Sequence, residues 1–265
     1  MAKHDHSSRG NKQTREARQE RRRLRRQKPE QAHEDQGDFT PRATTYLEKF
    51  VPENDKQRLY MNYVKHKRIV FALGPSGTGK TFCPTSLAAE WYLDKSIERV
   101  IVTRPMVGCD EDEGTMPGNA REKFEGWVRP FMEVFQGKMR PGEFNYALDS
   151  GRILAQPLAG MRGSTHRNAV IILDEAQNTT PRQLKMLLTR MGSGSRLIIA
   201  GDEEQSDLPR GKMSGLLDAL NVLEGIDDND IGVIRFDESE IVRDPIVAKV
   251  IKAYRQRDIR AQQST

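Results

Sequence analysis

Short apolar runs alternate with amphipathic stretches along the chain from about residue 68 onward. Six runs rich in isoleucine, leucine and valine occupy residues 68–73, 99–103, 152–157, 169–173, 196–200 and 232–236. Such runs, without polar–apolar alternation, are typical of parallel strands that are covered on both faces. Strands that alternate with helices predict an α/β fold with a doubly wound, mainly parallel sheet. In such a sheet, ligands bind beyond the carboxyl ends of the strands.

Helix signals lie between the apolar runs. Residues 82–93 are compatible with a helix, and Thr180 before Pro181 is a typical start for a second one. That second helix has an apolar stripe and is predicted to close at Gly192. A last helix is predicted to begin at Asp244 and Pro245 and to turn five side chains inward: Ile246, Val247, Val250, Ile251 and Tyr254.

The first 40 residues differ in composition from the rest of the chain. Of the 265 residues, 36% are hydrophobic and 31% are charged, but residues 15–28 hold one leucine and no aromatic residue. Residues 1–30 carry a net charge of +7, against +5 for the whole chain. We therefore predict a disordered basic arm and linker over residues 1–40, followed by one folded domain over residues 41–265. Such an arm binds nucleic acid in many proteins, and the alternative is a solubilising tail.

The remaining composition limits the class of protein. No apolar run approaches the ~18 residues of a membrane span, so we expect no membrane partner. Cys83 and Cys109 are the only cysteines, and neither has the Cys or His neighbours of a zinc site. We expect free thiols in a reducing cytoplasm and no metal site made of protein ligands alone.

A glycine-rich sequence follows the first apolar run. It comprises Gly74, Pro75, Ser76, Gly77, Thr78, Gly79, Lys80 and Thr81, and Phe82 opens the next helix. Strand, glycine-rich turn and helix together are the setting of a phosphate-binding loop, in which backbone N–H groups surround an anion. Lys80 is predicted to reach the β- and γ-phosphates of ATP, and the Thr81 hydroxyl to bind Mg²⁺. The alternative is a structural β–α turn with an incidental lysine.

Two further motifs favour hydrolysis. Asp174 and Glu175 follow the apolar run 169–173, where Asp174 is predicted to hold Mg²⁺ and Glu175 to polarise the attacking water. Gln205, after the run 196–200, is a candidate sensor of the γ-phosphate, or part of an ordinary acidic loop. Upstream of the phosphate loop, Gln57 is a candidate adenine contact, or a surface glutamine.

Taken in order, the motifs of this chain resemble the PhoH family. They are Gln57, GPSGTGKT at 74–81, Thr103-Arg104-Pro105, Met116-Pro117-Gly118, Met161 to Thr165, LDEAQNTT at 173–180 and GDEEQSDLPRG at 201–211. The resemblance implies a RecA-like P-loop NTPase core related to the first domain of superfamily-one helicases. It also implies ATP binding and hydrolysis, association with RNA, and assembly into a homo-oligomeric ring, with a hexamer as one candidate. By matching positions, Lys80, Thr81, Asp174, Glu175 and Gln205 form the catalytic and binding set, with Gln57 near adenine.

Two features depart from the family pattern. Residues 110–118 replace two bulky apolar residues of the usual family loop and begin with four consecutive acids at 110–113. If this loop faced a phosphate backbone, it would repel it. The basic arm is also outside the common core.

The chain is too short for a second helicase domain. About 225 residues follow the arm, enough for one doubly wound domain with an insertion near 104–150. Two-domain helicases complete the ATP site with an arginine from the second domain. We therefore hypothesise that Arg243 or Arg210 reaches the γ-phosphate of a neighbouring subunit, although a surface salt bridge is the alternative for each.

The sequence leaves three functions open. The favoured one is an ATPase that uses ATP and Mg²⁺ to bind, remodel or unwind single-stranded RNA, or DNA. An ATP-switched binding module with slow hydrolysis comes next, and a P-loop kinase is the third.

Overall fold

The described residues form one six-stranded parallel sheet with helices packed against it. Its strands are β1 (Ile69–Leu73), β2 (Arg99–Thr103), β3 (Ile153–Ala155), β4 (Ala169–Leu173), β5 (Arg196–Gly201) and β6 (Ile231–Arg235). The order across the sheet is β3-β2-β4-β5-β1-β6, and every neighbouring pair is parallel. The predicted doubly wound α/β fold is confirmed, with strand boundaries within two residues of those expected.

The computed structural model describes residues 49–105, 120–209, 211–226 and 229–244, together with 246–247, 249–250, 253–254 and 257. Within the third helix, the side chains of 120–125 and 127 are not described. The described residues belong to one unit, Thr44–Thr265. The predicted basic arm, Cys109, the acids at 110–113 and Arg210 lie outside them.

In the described part of the chain, six helices with defined bounds cover the two faces of the sheet. They are α1 (Asp55–His66), α2 (Phe82–Leu93), α3 (Ala120–Lys138), α4 (Pro141–Asp149), α5 (Pro181–Leu188) and α6 (Gly215–Leu223), with short 3₁₀ helices at Leu158–Met161, Ala176–Asn178 and Glu238–Glu240. No described helix is both long enough and apolar enough for a membrane crossing.

Each face of the sheet carries its own apolar core because successive strand residues point to opposite faces. On one face Val70, Val100 and Val170 pack with side chains of α1 to α4, such as Tyr60 and Phe131. The strand residues next to these positions point to the other face, where they pack with α5 and α6. Covering both faces explains why the strands read as unbroken apolar runs.

The helix after β4 begins as predicted but ends earlier. Thr180 caps α5 by accepting from the Gln183 N–H, and Pro181 is its first residue. The helix ends at Leu188, so the prediction that Gly192 closes it was wrong. Gly192 instead donates its N–H to the His166 carbonyl at 2.6 Å, and a Cβ there would lie 2.5 Å from the same oxygen. The glycine is required by a close approach to another segment.

The last helix was predicted to turn its apolar side inward, and this was wrong. The described residues between 246 and 257 are helical, but Ile246, Val247, Val250 and Tyr254 are 63%, 40%, 48% and 59% exposed. Ile251 lies outside the described residues. A 3.6-residue period identifies an apolar face but does not ensure that the same chain covers it.

Candidate nucleotide-binding site

The glycine-rich loop joins β1 to α2 at the carboxyl edge of the sheet. Gly74, Gly77 and Gly79 have φ values of +125°, +88° and +90°, a region in which a side chain is strained. A Cβ on Gly74 would collide with the Phe236 carbonyl oxygen, and one on Gly79 would lie 2.9 Å from the Gln57 Nε2. Both the turn itself and the segments packed against it therefore require glycine.

Lys80 bridges back to the start of its own loop. Its ammonium group donates to the carbonyl oxygens of Gly74 at 2.6 Å and Pro75 at 2.7 Å. Burial lowers the pKa of Lys80, and the nearby carboxylates, Asp202 first, oppose that shift. The result is a cation held among oxygen atoms at the centre of the loop, where a phosphate group would be attracted.

Thr81 and Asp174 meet across the sheet edge. The Thr81 hydroxyl donates to the Asp174 Oδ1 at 2.9 Å, although β5 lies between their two strands. Burial raises the pKa of Asp174, and Glu175 adds to the shift, while the Thr81 hydrogen bond and Arg104 oppose it. Hydroxyl and carboxylate oxygens are hard ligands of the kind that Mg²⁺ prefers. In the described residues, no cluster of three or more His, Cys, Asp or Glu could hold a metal alone.

Glu175 is held by two side chains. Arg104 Nη2 lies 3.0 Å from its Oε1, and Gln177 Nε2 donates to its Oε2 at 2.6 Å. The backbone of Glu175 is left-handed, with φ +52° and ψ +42°, which is uncommon for a residue with a side chain. This left-handed turn ends the extended course of β4. It directs the Glu175 carboxylate towards the cavity lined by the glycine-rich loop.

Gln177 connects the ends of β4 and β5. Its side chain is 5% exposed; it donates to Glu175 and accepts from the Asp202 N–H at 3.1 Å. A Cβ on Gly201 would lie 2.9 Å from the Gln177 Oε1, so this contact depends on a glycine at the end of β5. The backbone carbonyl of Gln177 accepts from the Ser214 hydroxyl at 2.8 Å. Hydrogen bonds to the side-chain amide and to the backbone carbonyl therefore hold Gln177 in place.

A cavity of about 530 Å³ collects most of the predicted site residues. Those that line it are Gln57, Ser76, Gly77, Gly79, Lys80, Thr81, Phe82, Asp174, Glu175, Gln205 and Arg243. Gly74, Pro75 and Thr78 complete the loop but do not line the cavity, and Thr78 is fully buried. The insertion between β2 and β3 also reaches the site, since Pro130 and Val134 of α3 line the same cavity.

Gln57 lies beneath the phosphate loop. It is 3% exposed, and its amide donates to the Thr78 carbonyl at 3.1 Å and accepts from the Glu53 N–H at 2.9 Å. Each of these bonds uses one of the amide's two donors or acceptors. The other positions are left for a base, so the predicted adenine contact stays a prediction.

Arg243 packs on the phosphate loop of its own chain. A Cβ on Gly77 would lie 3.0 Å from the Arg243 Cγ, and the Val242 N–H donates to the Gly77 carbonyl at 2.9 Å. The Arg243 side chain is exposed at the mouth of the cavity. A contribution to a neighbouring subunit stays a prediction, and Arg210 lies outside the described residues.

Sequence reasoning gave no role to Arg104 or Gln177. Both stood inside quoted motifs, but nothing local indicated that they meet at Glu175. No sequence feature indicated that Pro130 and Val134 line the cavity, because their approach to the loop depends on how α3 packs against α2.

Comparison with known proteins agrees with the motifs. The family model described as PhoH-like protein matches residues 49–255. The PhoH-like protein of Bacillus subtilis is 43% identical over 198 residues, which cover 75% of this chain and 61% of that protein. Protein PhoH of Escherichia coli K12 is 41% identical over 203 residues, covering 76% and 57%. The chain thus spans less than two thirds of the length of these relatives.

Solved structures align at lower similarity. The Pif1 helicase from Candida albicans matches with 17% identity and a TM-score of 0.37, covering 71% of this chain and 41% of that one. A DNA-bound DUF1998 helicase, MrfA, matches with 13% identity and a TM-score of 0.39, covering 69% and 25%. The extent of the family match and the identities to the two bacterial proteins lead to one conclusion: the chain belongs to the PhoH-like protein family.

Proposed function

We propose that this protein is an ATPase that binds ATP with Mg²⁺, hydrolyses it, and couples hydrolysis to binding, remodelling or unwinding of single-stranded RNA. One observation carries the proposal: Lys80, the Thr81–Asp174 pair and Glu175 line a single cavity at the end of a parallel sheet. A phosphate loop alone serves kinases and binding modules equally well. A partly buried carboxylate pair beside it favours water as the acceptor of the phosphoryl group.

The nucleotide's phosphates would lie in the glycine-rich loop. The N–H groups at the start of α2 and the Lys80 ammonium would neutralise them. Thr81 and Asp174 would hold Mg²⁺, which supplies charge neutralisation at the phosphate oxygens. Phe82, 47% exposed at the cavity, and the remaining amide positions of Gln57 would contact the base.

Glu175 would orient and polarise the attacking water. Arg104 and Gln177 hold its carboxylate in one position, which favours a defined geometry for the water. Gln205, exposed at the cavity, would report on the γ-phosphate. Arg243 would add positive charge there, and its packing on Gly77 supports a role within one chain.

The test is ATP hydrolysis by the purified full chain, with and without single-stranded RNA. Lys80→Ala should lose ATP binding, whereas Glu175→Gln should keep binding and lose about 10²-fold or more in kcat. Glu133→Gln, an exposed change of the same type on α3, is the matched control and should leave both unchanged.

The outcome also separates the alternatives. ATP binding without measurable hydrolysis would favour the ATP-switched binding module. Hydrolysis that neither RNA nor DNA changes would remove the nucleic-acid coupling, and phosphate transfer to an acceptor other than water would favour a kinase.

Assembly in a ring, with a hexamer as one candidate, and residence in the cytoplasm are further parts of the proposal. Mixing Lys80→Ala subunits with Arg243→Ala subunits tests the role of Arg243. If Arg243 acts in its own chain, the mixture stays inactive. Restored hydrolysis would mean that a neighbouring subunit supplies the arginine.

A further inference from the structure

A basic edge lies at the side of the sheet opposite the nucleotide site. Five of the six parallel strands begin at an arginine or one to two residues after one, in the sheet order Arg152, Arg99, Arg167, Arg196 and Arg68. Since parallel strands start at the same edge, these five side chains emanate from one side of the domain. Adjacent strands are about 4.8 Å apart, so the row spans about 19 Å.

The strand registers bring neighbouring members of this row together. Val100 pairs with Ile153, which sets Arg99 beside Arg152, and Ile69 pairs with Leu197, which sets Arg68 beside Arg196. Like charges side by side cost free energy unless an anion compensates them. The arrangement therefore favours a ligand with several negative charges.

A cavity of about 310 Å³ lies within this edge. Arg99, His166 and Arg167 line it, together with Thr165 and Glu98. His166 is 8% exposed, and its Nε2 is buried and lacks a hydrogen-bond partner in the part of the chain that the structure describes. A buried polar atom without a partner is costly, so a ligand group that reached the imidazole would offset that cost.

The guanidinium groups at this cavity are available for binding. Among the described residues, Arg99 and Arg167 have no side-chain hydrogen bond or ion pair. The same holds for Arg152, which does not line the cavity but lies beside Arg99 in the row, and all three side chains are exposed. Glu98 is the one carboxylate of the cavity lining, and it accepts from the Asn168 amide at 2.9 Å. Two arginines against one engaged glutamate leave a net positive cavity.

The other two arginines are already bonded to the backbone. Arg68 donates to the Gly192 carbonyl, and Arg196 donates to the Lys65 carbonyl and lies over the Trp91 ring. These contacts neutralise no charge, so both side chains still add to the positive potential of the edge.

Acidic and basic side chains stand together at the carboxyl edge of the sheet, where Lys80 and Arg104 lie beside four carboxylates. Asp174, Glu175, Asp202 and Glu203 follow β4 and β5 there. A polyanion longer than the triphosphate would meet these carboxylates, whereas at the amino edge it would meet the arginine row.

We infer that the sugar–phosphate backbone of single-stranded RNA binds across the amino edge of the sheet, with one phosphate in the cavity formed by Arg99, His166 and Arg167. The inference rests on the proposed nucleic-acid function and assigns the face that performs it. RNA and ATP would then bind at opposite ends of the same strands.

The test compares two double variants of the full chain. Arg99→Gln with Arg167→Gln removes two charges from the cavity, and Arg58→Gln with Arg129→Gln removes two from exposed helical positions paired with Asp55 and Glu133. Fluorescence anisotropy with labelled single-stranded RNA is measured at several salt concentrations. We expect the cavity variant to bind about tenfold or more weakly and the magnitude of its log–log salt slope to fall by about 0.7, as the loss of one phosphate contact to a single strand predicts.

Further measurements test whether a loss of RNA binding is specific to the cavity. Both variants should retain basal ATP hydrolysis and the melting temperature of the wild type, because the changes are exposed and distant from the nucleotide site. Inorganic pyrophosphate is the competitor that separates an RNA site from a site for small phosphates. Cross-linking of 4-thiouridine RNA should label the peptide that contains Thr165, His166 and Arg167.

The outcomes separate a failure of the amino-edge site from a failure of the nucleic-acid function. If the wild type binds RNA and the cavity variant binds as the control does, the amino edge is the wrong face, while the nucleic-acid function stands. If the wild type binds neither RNA nor DNA, both fail. Displacement of RNA by equimolar pyrophosphate would reassign the cavity to small phosphates.

Discussion

The Arg104 guanidinium lies 3.0 Å from the Glu175 carboxylate, at the ends of two neighbouring strands, β2 and β4. The two side chains are 31% and 35% exposed, so solvent partly screens the pair. The pair therefore contributes little to the free energy of unfolding, and its main effect is to orient Glu175. We regard Arg104 as a positioning residue for Glu175, the carboxylate that we propose polarises water.

Replacing Arg104 should lower turnover and leave nucleotide affinity nearly unchanged. Arg104→Gln removes the ion pair on Glu175 without touching the phosphate loop, so we expect kcat for ATP to fall about tenfold as the carboxylate becomes less ordered. KM should change by less than about twofold, since ground-state binding is preserved. Arg104→Lys should recover part of the loss, and Arg129→Gln is the control. An unchanged or increased kcat would show that the pair does not position Glu175.

Gln177 should affect both turnover and stability. Gln177→Ala removes the donor to Glu175 and leaves the Asp202 N–H without its acceptor. The cost is about 1–3 kcal/mol for a fully buried group and is smaller here because Asp202 is partly exposed. We expect a lower melting temperature and a kcat reduced at least about tenfold. Gln183→Ala removes the capping side chain of α5 instead and should lower the melting temperature alone. Equal kcat values in the two variants would contradict the linking role of Gln177.

Two glycines should respond to alanine in opposite directions. Gly77 has φ +88° and lies against Arg243, so Gly77→Ala should destabilise the loop by about 1–3 kcal/mol and raise KM for ATP. Gly126 lies inside α3, where an added Cβ meets nothing within 4 Å, so Gly126→Ala should stabilise by about 0.5–1 kcal/mol. Thermal denaturation and ATP titration measure both. A Gly77→Ala protein with wild-type KM and melting temperature would rule out this account of the loop.

The Arg235–Glu224 pair should make stability depend on pH in acid. Arg235 donates to both carboxylate oxygens of Glu224, at 2.6 and 2.7 Å, and these bonds lower the pKa of Glu224 below its usual 4.5. A depressed carboxyl pKa gives stability that is present above pH 4.5 and lost as pH falls through the folded-state pKa. The effect is modest because the Glu224 side chain is 41% exposed.

Melting temperatures between pH 7 and pH 3 measure this effect. Glu224→Gln should melt below the wild type at pH 7, and the difference should shrink in acid. Glu133→Gln is the control for loss of an exposed ion pair. A difference that stays constant down to pH 3 would exclude a contribution from Glu224 ionisation.

Much of the fold could be predicted because its signals are local. Unbroken apolar runs identify parallel strands, since both faces of the sheet are covered, and Thr180 with Pro181 marks a helix start within a few residues. The phosphate loop is equally local, because φ > 0 at Gly74, Gly77 and Gly79 demands glycine at fixed spacing. The position of Asp174 and Glu175 at the edge of the sheet could be predicted because they follow a buried strand directly.

Other features could not be read along the chain. Gly192 resembled a helix end, but it serves a close approach to His166 that depends on a distant segment. The last helix carries an apolar stripe whose residues are exposed, and periodicity alone could not tell which surface, if any, covers it. Arg243 packs on the phosphate loop of its own chain, a contact that no local pattern indicated, and its action on a neighbouring subunit stays a prediction.

The sequence by itself determined the class of fold, the position of the phosphate loop and the carboxylates beside it, because steric and periodic preferences act over a few residues. Only the tertiary structure decided that Arg104 and Gln177 hold Glu175, that Arg243 packs on Gly77, and that Arg99 and Arg167 share a cavity with His166. Strand order and register set these contacts, since a parallel sheet brings the ends of distant strands to a common edge. No local pattern carries that information.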